Sequence, residues 1–170
     1  SYPIKKYWLK IILKHYKNNT ILGTTASYES AFSSLRLKKF YKIISYIFRF
    51  YKFKNSFKAF PNPHIRTSSF LIKGSDFISF IKNKKINNKE DAWSIESGLN
   101  GLTNFFKKKK YNIFVVNSDG VKFTENSWKL SETYIYLKQS KSLISDKHSR
   151  KYLKLSARDK LYSSNISWGK

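Results

Sequence analysis

The amino-acid sequence predicts an α/β fold in which helices pack on a short mixed sheet. Segments with helical and with strand-like hydrophobic patterns alternate along the chain, and such alternation is typical of layered α/β domains. The chain has 170 residues, of which 41% are apolar, so it is long and apolar enough to bury one hydrophobic core. We therefore expect a single domain over residues 1–170.

The first half of the chain contributes two predicted helices and one predicted strand. Residues 2–17 predict a helix with apolar side chains on one face and lysines on the other, and Pro3 suits its first turn. Residues 21–26 form a short segment with strand propensity. Residues 31–53 predict a second, longer helix with a wide apolar arc.

The second helix belongs to a basic aromatic segment, residues 31–60, which is a candidate insertion. Its polar positions repeat at spacings of four and three: Lys38, Lys42, Ser45, Arg49 and Lys52. Because nearly every other residue of the helix is apolar or aromatic, its apolar face must be covered. Two alternatives stay open: Phe40, Ile44, Ile47 and Tyr51 pack in the core, or they lie at an anionic membrane surface.

The middle of the chain predicts a strand and two helices. Residues 68–72 read as a buried strand and residues 76–82 as a short helix. Asn88 is placed to cap a helix over residues 88–106, with Asp91 in the capping-box position. That helix contains two glycines, Gly98 and Gly101, which favour a break or close packing.

The last third begins with a clear strand signal. Residues 111–117 predict a buried strand, and Asp119-Gly120 predicts the turn after it. Lysines 107–110 stand at the C-terminal end of the preceding helix, where positive charge complements the helix dipole. Residues 149–162 are a candidate terminal helix.

The net charge of +24 and the absence of cysteine limit the classes of function that the chain can have. Without cysteine the chain has no disulfide, zinc ribbon or thiol nucleophile. The charge favours polyanionic partners such as nucleic acid, anionic lipid or phosphorylated substrates. However, the basic residues are 29 Lys and 5 Arg. Lys, Ile, Asn, Phe and Tyr are all abundant and have AT-rich codons, so we interpret much of the lysine as codon bias. Nucleic-acid readers also depend more on Arg.

Two spots carry candidate functional residues. Glu90, Asp91 and Glu96 form a cluster in a chain with only ten acids, although acids in a first helical turn also favour the dipole. A rigid loop, residues 61–67, presents His64, Arg66 and Thr67 before a strand. An Arg there can hold a phosphate or carboxylate, or can pair with an internal acid.

Other kinds of site have no signature in the sequence. No metal-ligand spacing, Walker loop or dinucleotide fingerprint occurs. The three histidines, His15, His64 and His148, are far apart along the chain. The first residue is Ser1 rather than Met, and we interpret the chain as processed or as a fragment of a longer protein.

Several runs occur together in a distinctive order. They are ILGTTASYES, PNPHIRTSSFLI, NKEDAWSIESGLNGLTNFF and YNIFVVNSDG, followed by a W-x-x-S-x-T stretch at Trp128, Ser131 and Thr133, by Asp146-Lys147-His148-Ser149 and by Ser167-Trp168-Gly169. Together they resemble a group of bacterial glycosyltransferases of family 2, which have the GT-A type fold. The resemblance covers roughly residues 21–169 and corresponds to the C-terminal, acceptor half of such an enzyme.

The resemblance implies a function and assigns roles to the candidate residues. The fold would be a partial GT-A-like layer, and the reaction an inverting sugar transfer from a nucleotide-sugar donor to a glycan or lipid-linked acceptor in surface polysaccharide or lipopolysaccharide synthesis. Asp91 would be the catalytic base and Glu90 its support. The substrate-binding residues would be His64, Arg66, Thr67 and Glu96.

The donor half of such an enzyme has no counterpart in this sequence. The D-x-D motif would precede Ser1, so a divalent metal, Mg²⁺ or Mn²⁺, is expected only in a full-length enzyme, with ligands outside this chain. We expect a cytoplasmic location, with which the absence of cysteine is compatible, and peripheral attachment to the inner face of the membrane is a further option. Two alternative functions stay open: a basic nucleic-acid-binding, ribosome-associated protein, and a non-catalytic peripheral membrane module.

Overall fold

The computed structural model describes residues 1–37 and 39–169 and shows a mixed α/β fold. The described strands are Tyr2–Pro3 (β1), Thr20–Gly23 (β2), Ala26–Ser27 (β3), His64–Ile65 (β4), Phe70–Leu71 (β5), Asn112–Val116 (β6), Lys122–Phe123 (β7) and Ile144–Ser145 (β8). The described α-helices are Trp8–Leu13 (α1), Ile43–Ser56 (α2), Gly74–Ile81 (α3), Lys89–Ser97 (α4), Leu102–Lys108 (α5), Lys147–Leu153 (α6) and Ala157–Trp168 (α7). Two 3-10 helices cover Phe40–Lys42 and Glu125–Ser131. The predicted α/β class is therefore confirmed.

The central sheet has four strands in the order β5-β2-β6-β7. Strands β2 and β6 are parallel, with Ile21 opposite Ile113, and the outer strands are antiparallel to their neighbours. A parallel pair needs a long crossover, and the chain between β2 and β6 supplies it with helices α2 to α5. Two small antiparallel ladders, β1-β8 and β3-β4, lie outside this sheet.

Alternating side chains of the sheet build core on both of its faces, as expected for a strand. Ile21 packs with Phe80 of α3 and Leu102 of α5 on one face. Its neighbour Leu22 packs with Ile12 of α1 on the other face. A third cluster, centred on the fully buried Trp128, lies against the β3-β4 ladder. This third cluster supports the part of the molecule where the candidate site lies.

The N-terminal helix predicted over residues 2–17 is only partly present. Tyr2–Pro3 forms a strand, and the helix is limited to Trp8–Leu13. The strand pairs with β8, more than 140 residues away, and Ile4 N–H donates to the carbonyl of Leu143 at 3.0 Å. This long-range pairing overrides the local helical pattern.

The helix predicted over residues 31–53 begins later than expected. Its regular part is Ile43–Ser56, preceded by the short 3-10 turn. Residues 31–34 form turns instead, because the Ser30 hydroxyl accepts the Ser33 amide at 3.1 Å. Lys38, which belongs to the predicted polar stripe, lies outside the described residues.

The helix predicted over residues 88–106 is two helices, α4 and α5, separated at the glycines. A Cβ on Gly101 would lie 2.8 Å from the backbone nitrogen of Gly98, so the two segments approach too closely for a side chain. The predicted capping box of Asn88 and Asp91 is confirmed.

Of the other predicted elements, three are confirmed and two need adjustment. The helix at residues 76–82, the strand at 111–117 and the turn at Gly120, which has φ +76°, are present. The strand at 68–72 is reduced to two half-buried residues at the sheet edge. The helix at 149–162 is divided into α6 and α7, because Ser156 caps a new helix by accepting the Asp159 amide at 3.2 Å.

Within residues 1–37 and 39–169, no helix combines the length and apolar character needed to cross a bilayer.

Candidate functional site

A cavity of about 580 Å³ opens where the β3-β4 ladder meets α2, α4, α6 and α7. We call it the central cleft. Its ionisable and aromatic lining includes Glu29, Arg36, Arg49, Phe53, His64, Arg66, Lys89, Trp93, Glu96, Tyr134 and His148. Three of the residues singled out from the sequence, His64, Arg66 and Glu96, therefore meet in one place.

The guanidinium of Arg66 contacts three other side chains in and beside the cleft. It donates to the Asp146 carboxylate at 2.6 Å, and its Nε lies 3.9 Å from an oxygen of Glu96. It also stacks on the Tyr134 ring, 3.9 Å from the ring centroid. The side chain is only 12% exposed. A planar, delocalised cation suits this combination of pairing with two carboxylates and stacking on a ring.

Asp146 reaches Arg66 from the N-cap position of α6. One carboxylate oxygen accepts the Ser149 amide at 2.7 Å while the other accepts from Arg66. Burial alone would raise the pKa of Asp146, but Arg66 and the Ser149 amide hold it below its ordinary value. Asp146 is therefore anionic, and it fixes Arg66 in the cleft wall.

His64 presents a neutral imidazole to the cleft. It lies on β4 opposite Ser27 and is buried. Its Nδ1–H donates to the carbonyl oxygen of Asn62 at 2.8 Å, which leaves the lone pair on Nε2. Burial lowers the pKa of His64 below its ordinary value, with Arg66 adding to the effect and Glu96 opposing it.

Glu29 follows β3, and the pKa of its carboxyl group is raised above the ordinary value. Burial is the main cause, the nearby negative charge of Glu96 adds to it, and Arg66 opposes both. Among the described residues, Glu29 makes no ion pair within 4 Å. A carboxylate with a raised pKa is a stronger base than an exposed one.

His148 adds a second imidazole from the first turn of α6. Burial against the cleft wall and the charge of Arg66 lower its pKa, while Asp146 and Glu96 act in the opposite direction. The sequence keeps His64 and His148 apart by more than 80 residues, yet both line the central cleft.

The rim of the cleft is aromatic and cationic. Trp93 of α4 packs edge-on against Phe53 of α2, with ring centroids 6.4 Å apart. The Lys89 ammonium lies 5.3 Å from the Trp93 ring, and the Arg49 guanidinium lies 4.9 Å from the Phe53 ring. Flat rings next to fixed charges are typical of pockets that take polar organic ligands.

Glu90 lies outside the cleft lining, in an ion-pair network between α2 and α4. Its carboxylate contacts Arg49 Nε at 2.9 Å and Lys52 Nζ at 2.8 Å. The hydrogen bond from Lys52 is the main cause that holds the pKa of Glu90 below its ordinary value. This network attaches α2 to α4.

Asp91 is not among the residues that line the central cleft, contrary to the geometry expected for a base beside His64 and Arg66. Its carboxylate accepts the Asn87 and Asn88 amides at 2.9 and 3.2 Å. It lines a separate cavity of about 340 Å³. The structure therefore shows Asp91 in the helix-capping role that the sequence also allows.

Thr67 and Glu96 are joined at the edge of the cleft. The Thr67 hydroxyl donates to Glu96 at 2.9 Å. Thr67 is exposed and is not among the cleft-lining residues. Its contact nevertheless helps to orient the carboxylate that faces Arg66 and His64.

The cleft is not arranged as a metal site. Across residues 1–37 and 39–169, no group of three His, Asp or Glu side chains could hold a metal ion. Arg66 occupies the space between Glu96 and Asp146, so these two carboxylates are already compensated by a guanidinium. The residues present do not fit a divalent ion.

The sequence prediction missed Glu29, Tyr134, Asp146 and His148. Each lies in or beside a run that carried the resemblance: Glu29 in ILGTTASYES, Tyr134 after Thr133, and the other two in the Asp146–Ser149 segment. The signal was present, but local patterns could not indicate that these runs share one cleft.

Comparisons with protein-family models, with curated proteins and with solved structures find no match for this chain.

Proposed function

We propose that this chain is the acceptor-side half of a glycosyltransferase, which transfers a sugar from a nucleotide-sugar donor to a glycan or lipid-linked acceptor in surface polysaccharide or lipopolysaccharide synthesis. One observation carries the proposal. The runs that resemble family 2 glycosyltransferases are scattered along the sequence, yet most of them contribute side chains to the central cleft: Ser27, Glu29, His64, Arg66, Trp93, Glu96, His148 and Ser167.

The chemistry of the cleft suits a carbohydrate hydroxyl. Sugars offer many hydroxyl donors and a flat C–H face. Glu29 and Glu96 supply acceptors, and Trp93 supplies an aromatic surface on which a sugar ring can pack. Lys89 on the rim can offset the charge of a phosphate leaving group.

Glu29 takes the role of general base in this proposal. In an inverting transfer the acceptor oxygen attacks the anomeric carbon, the bond from that carbon to the nucleotide diphosphate breaks, and the hydroxyl proton passes to the base. Glu29 is a cleft carboxylate whose pKa burial raises, and it has no described ion-pair partner. General base catalysis of this kind contributes about 10²- to 10⁴-fold.

Asp91 and Glu90 support the site rather than react in it. Both carboxylates already have partners. Asp91 accepts hydrogen bonds from two backbone amides, and Glu90 forms ion pairs with Arg49 and Lys52. They hold α4 in place, and α4 carries Trp93 and Glu96 to the cleft. A metal on the donor diphosphate would have its ligands outside this chain, so no step here depends on one.

A pair of conservative substitutions tests the proposal in an enzyme that contains residues 1–170. Glu29→Gln keeps the shape of the side chain and removes its basicity, so transfer should fall by at least about 10²-fold while donor binding is little changed. Asp91→Asn is the matched control, because it makes the same carboxylate-to-amide change at a residue that lines the other cavity. Its transfer rate per folded molecule should stay within about twofold of the parent.

The reverse pattern would return the catalytic role to Asp91. If Asp91→Asn abolishes transfer and Glu29→Gln does not, the base lies outside the central cleft. Product analysis by anomeric NMR in the same assay checks that the configuration inverts.

A further inference from the structure

The outer face of α2 and of the 3-10 turn before it is the largest set of exposed apolar side chains in one described segment. Seven large side chains there are 47–88% exposed: Phe40, Tyr41, Ile43, Ile44, Ile47, Phe48 and Tyr51. Within this set, Phe40, Ile44, Ile47, Phe48 and Tyr51 repeat at spacings of three and four, so they share one helix face. We call the seven exposed side chains together the α2 apolar face.

The exposure excludes one of the two alternatives that the sequence left open for this helix, which is packing in the core of the described structure. Phe40 is 88% exposed and Ile44 is 69% exposed, so neither is packed in the core of the described structure. The helix is held from its opposite side, where Phe53 is 2% exposed and contacts Phe57 and Trp93. The apolar face is therefore directed outward by the way the helix is anchored.

The segment that carries the α2 apolar face is positively charged, and among the described residues Glu90 of α4 pairs only with Arg49 and Lys52. No Asp or Glu occurs between Glu29 and Asp76. Lys39 and Lys42 flank the Tyr41 ring, with their ammonium groups 5.5 and 5.8 Å from its centroid. Lys54 and Lys58, at the other end of the helix, are also exposed. A partner of this surface must be apolar in its interior and anionic at its boundary.

We propose that the α2 apolar face docks the protein on an anionic lipid bilayer. An interfacial helix of this type lies in the plane of the membrane, immerses its apolar residues at the level of the acyl boundary and keeps its lysines among the headgroups. Tyrosines such as Tyr41 and Tyr51 suit the interface because their rings are amphipathic. The inference rests on exposure and charge and does not depend on the proposed reaction.

The composition of the face favours lipid over nucleic acid. Single-stranded nucleic acid is held by aromatic rings that stack on bases and by Arg. Here Ile43, Ile44 and Ile47 lie among the rings, and an isoleucine side chain cannot stack on a base. The only Arg in α2, Arg49, is engaged by Glu90 at 2.9 Å.

Docking would bring the central cleft close to the headgroups. The two sides of α2 contribute to different surfaces. Arg49 and Phe53 line the cleft, while the apolar face is exposed on the outside. A helix with its side chains is about 10–12 Å across, so the cleft wall would lie about one helix diameter from the bilayer. A lipid-linked acceptor could then reach the cleft without leaving the membrane.

Vesicle flotation of the 170-residue chain tests the docking proposal. Vesicles of phosphatidylcholine mixed with phosphatidylglycerol are compared with vesicles of phosphatidylcholine alone. The chain should float with the anionic vesicles, and added salt should weaken the binding. The double substitution Ile44→Gln and Ile47→Gln should lower the partition coefficient at least about tenfold. Lys39→Gln and Lys42→Gln should each lower it about fivefold, on anionic vesicles only.

A matched control uses exposed apolar residues on another helix. Leu161 and Tyr162 of α7 are 65% and 67% exposed, so Leu161→Gln with Tyr162→Gln removes similar surface and should leave the partition unchanged. All four substituted apolar positions are exposed, and far-UV circular dichroism should therefore report the same helix content in every variant.

Three outcomes would overturn the proposal. The first is no flotation of the parent chain with anionic vesicles. The second is equal binding by the Ile44→Gln, Ile47→Gln variant and its control. The third is that single-stranded RNA, or a second copy of the chain detected by sedimentation, binds through this face and prevents flotation.

Discussion

Arg66 organises the candidate site at the scale of single residues. Its guanidinium compensates Asp146 and Glu96 and covers the Tyr134 ring. Without the Arg66 guanidinium, the poorly exposed carboxylates of Asp146 and Glu96 would face each other beside Glu29. The position of these groups therefore depends on a single side chain.

Replacing Arg66 by Met should cost about 3 kcal/mol of unfolding free energy, because breaking a buried ion pair leaves an uncompensated charge. Urea denaturation of the 170-residue chain measures the loss. Arg158→Met is the control: Arg158 is exposed and makes no described ion pair, so its effect should stay within about 0.5 kcal/mol. Equal small effects for both variants would show that Arg66 is not a structural hub.

The residue-scale contacts differ in how far the sequence could predict them. The Asn88 and Asp91 capping box spans four residues, and its signature is local, so it could be predicted. The sequence also allows an internal acid as the partner of Arg66. The identity of that acid was not available, because Asp146 lies 80 residues away and no local pattern encodes the approach of α6 to β4.

At the scale of elements, the break between α4 and α5 sets the shape of the cleft. Because the chain turns at Gly98–Gly101, α5 packs beside β4, and the Thr103 hydroxyl accepts the Ile65 amide at 2.8 Å. This contact keeps His64 and Arg66 beside Glu96. A continuous helix would carry Thr103 away from the ladder.

Gly101→Ala should therefore destabilise the fold. The added Cβ would lie 2.8–3.0 Å from three backbone atoms of residues 96–98, and relieving such overlap costs about 1–3 kcal/mol. Gly74→Ala is the control, because nothing lies within 4 Å of its Cβ position at the start of α3. Thermal unfolding of the two variants gives the comparison. A stable Gly101→Ala protein would mean that this close approach does not hold α4 and α5 in place.

Element boundaries were predicted well where local signals decide them and poorly where distant strands do. The strand at Asn112–Val116 and the helix at Gly74–Ile81 follow from local hydrophobic patterns. The strand at Tyr2–Pro3 exists because Ile144–Ser145 pairs with it, and that partner is invisible to a local pattern. The aromatic helix was anticipated, but its late start follows from the turns that Ser30 closes.

At the scale of the whole molecule, α2 connects two surfaces with different chemistry. Its inner side contributes Arg49 and Phe53 to the central cleft, and its outer side presents the α2 apolar face. The α/β class was predictable because helices and strands alternate along the chain. The convergence of the scattered runs on one cleft was not, because it depends on the assembled fold.

The measurement that tests the central claim most directly is saccharide binding at the central cleft of the 170-residue chain. Amide NMR spectra are recorded while oligosaccharides from bacterial surface polysaccharides are added. Resonances of Glu29, His64 and Trp93 should shift, and Trp93→Ala should weaken binding at least about tenfold, whereas Asp91→Asn should leave it unchanged. The account would be contradicted if the saccharides left the cleft resonances unmoved, or if Trp93→Ala bound them as tightly as the parent chain.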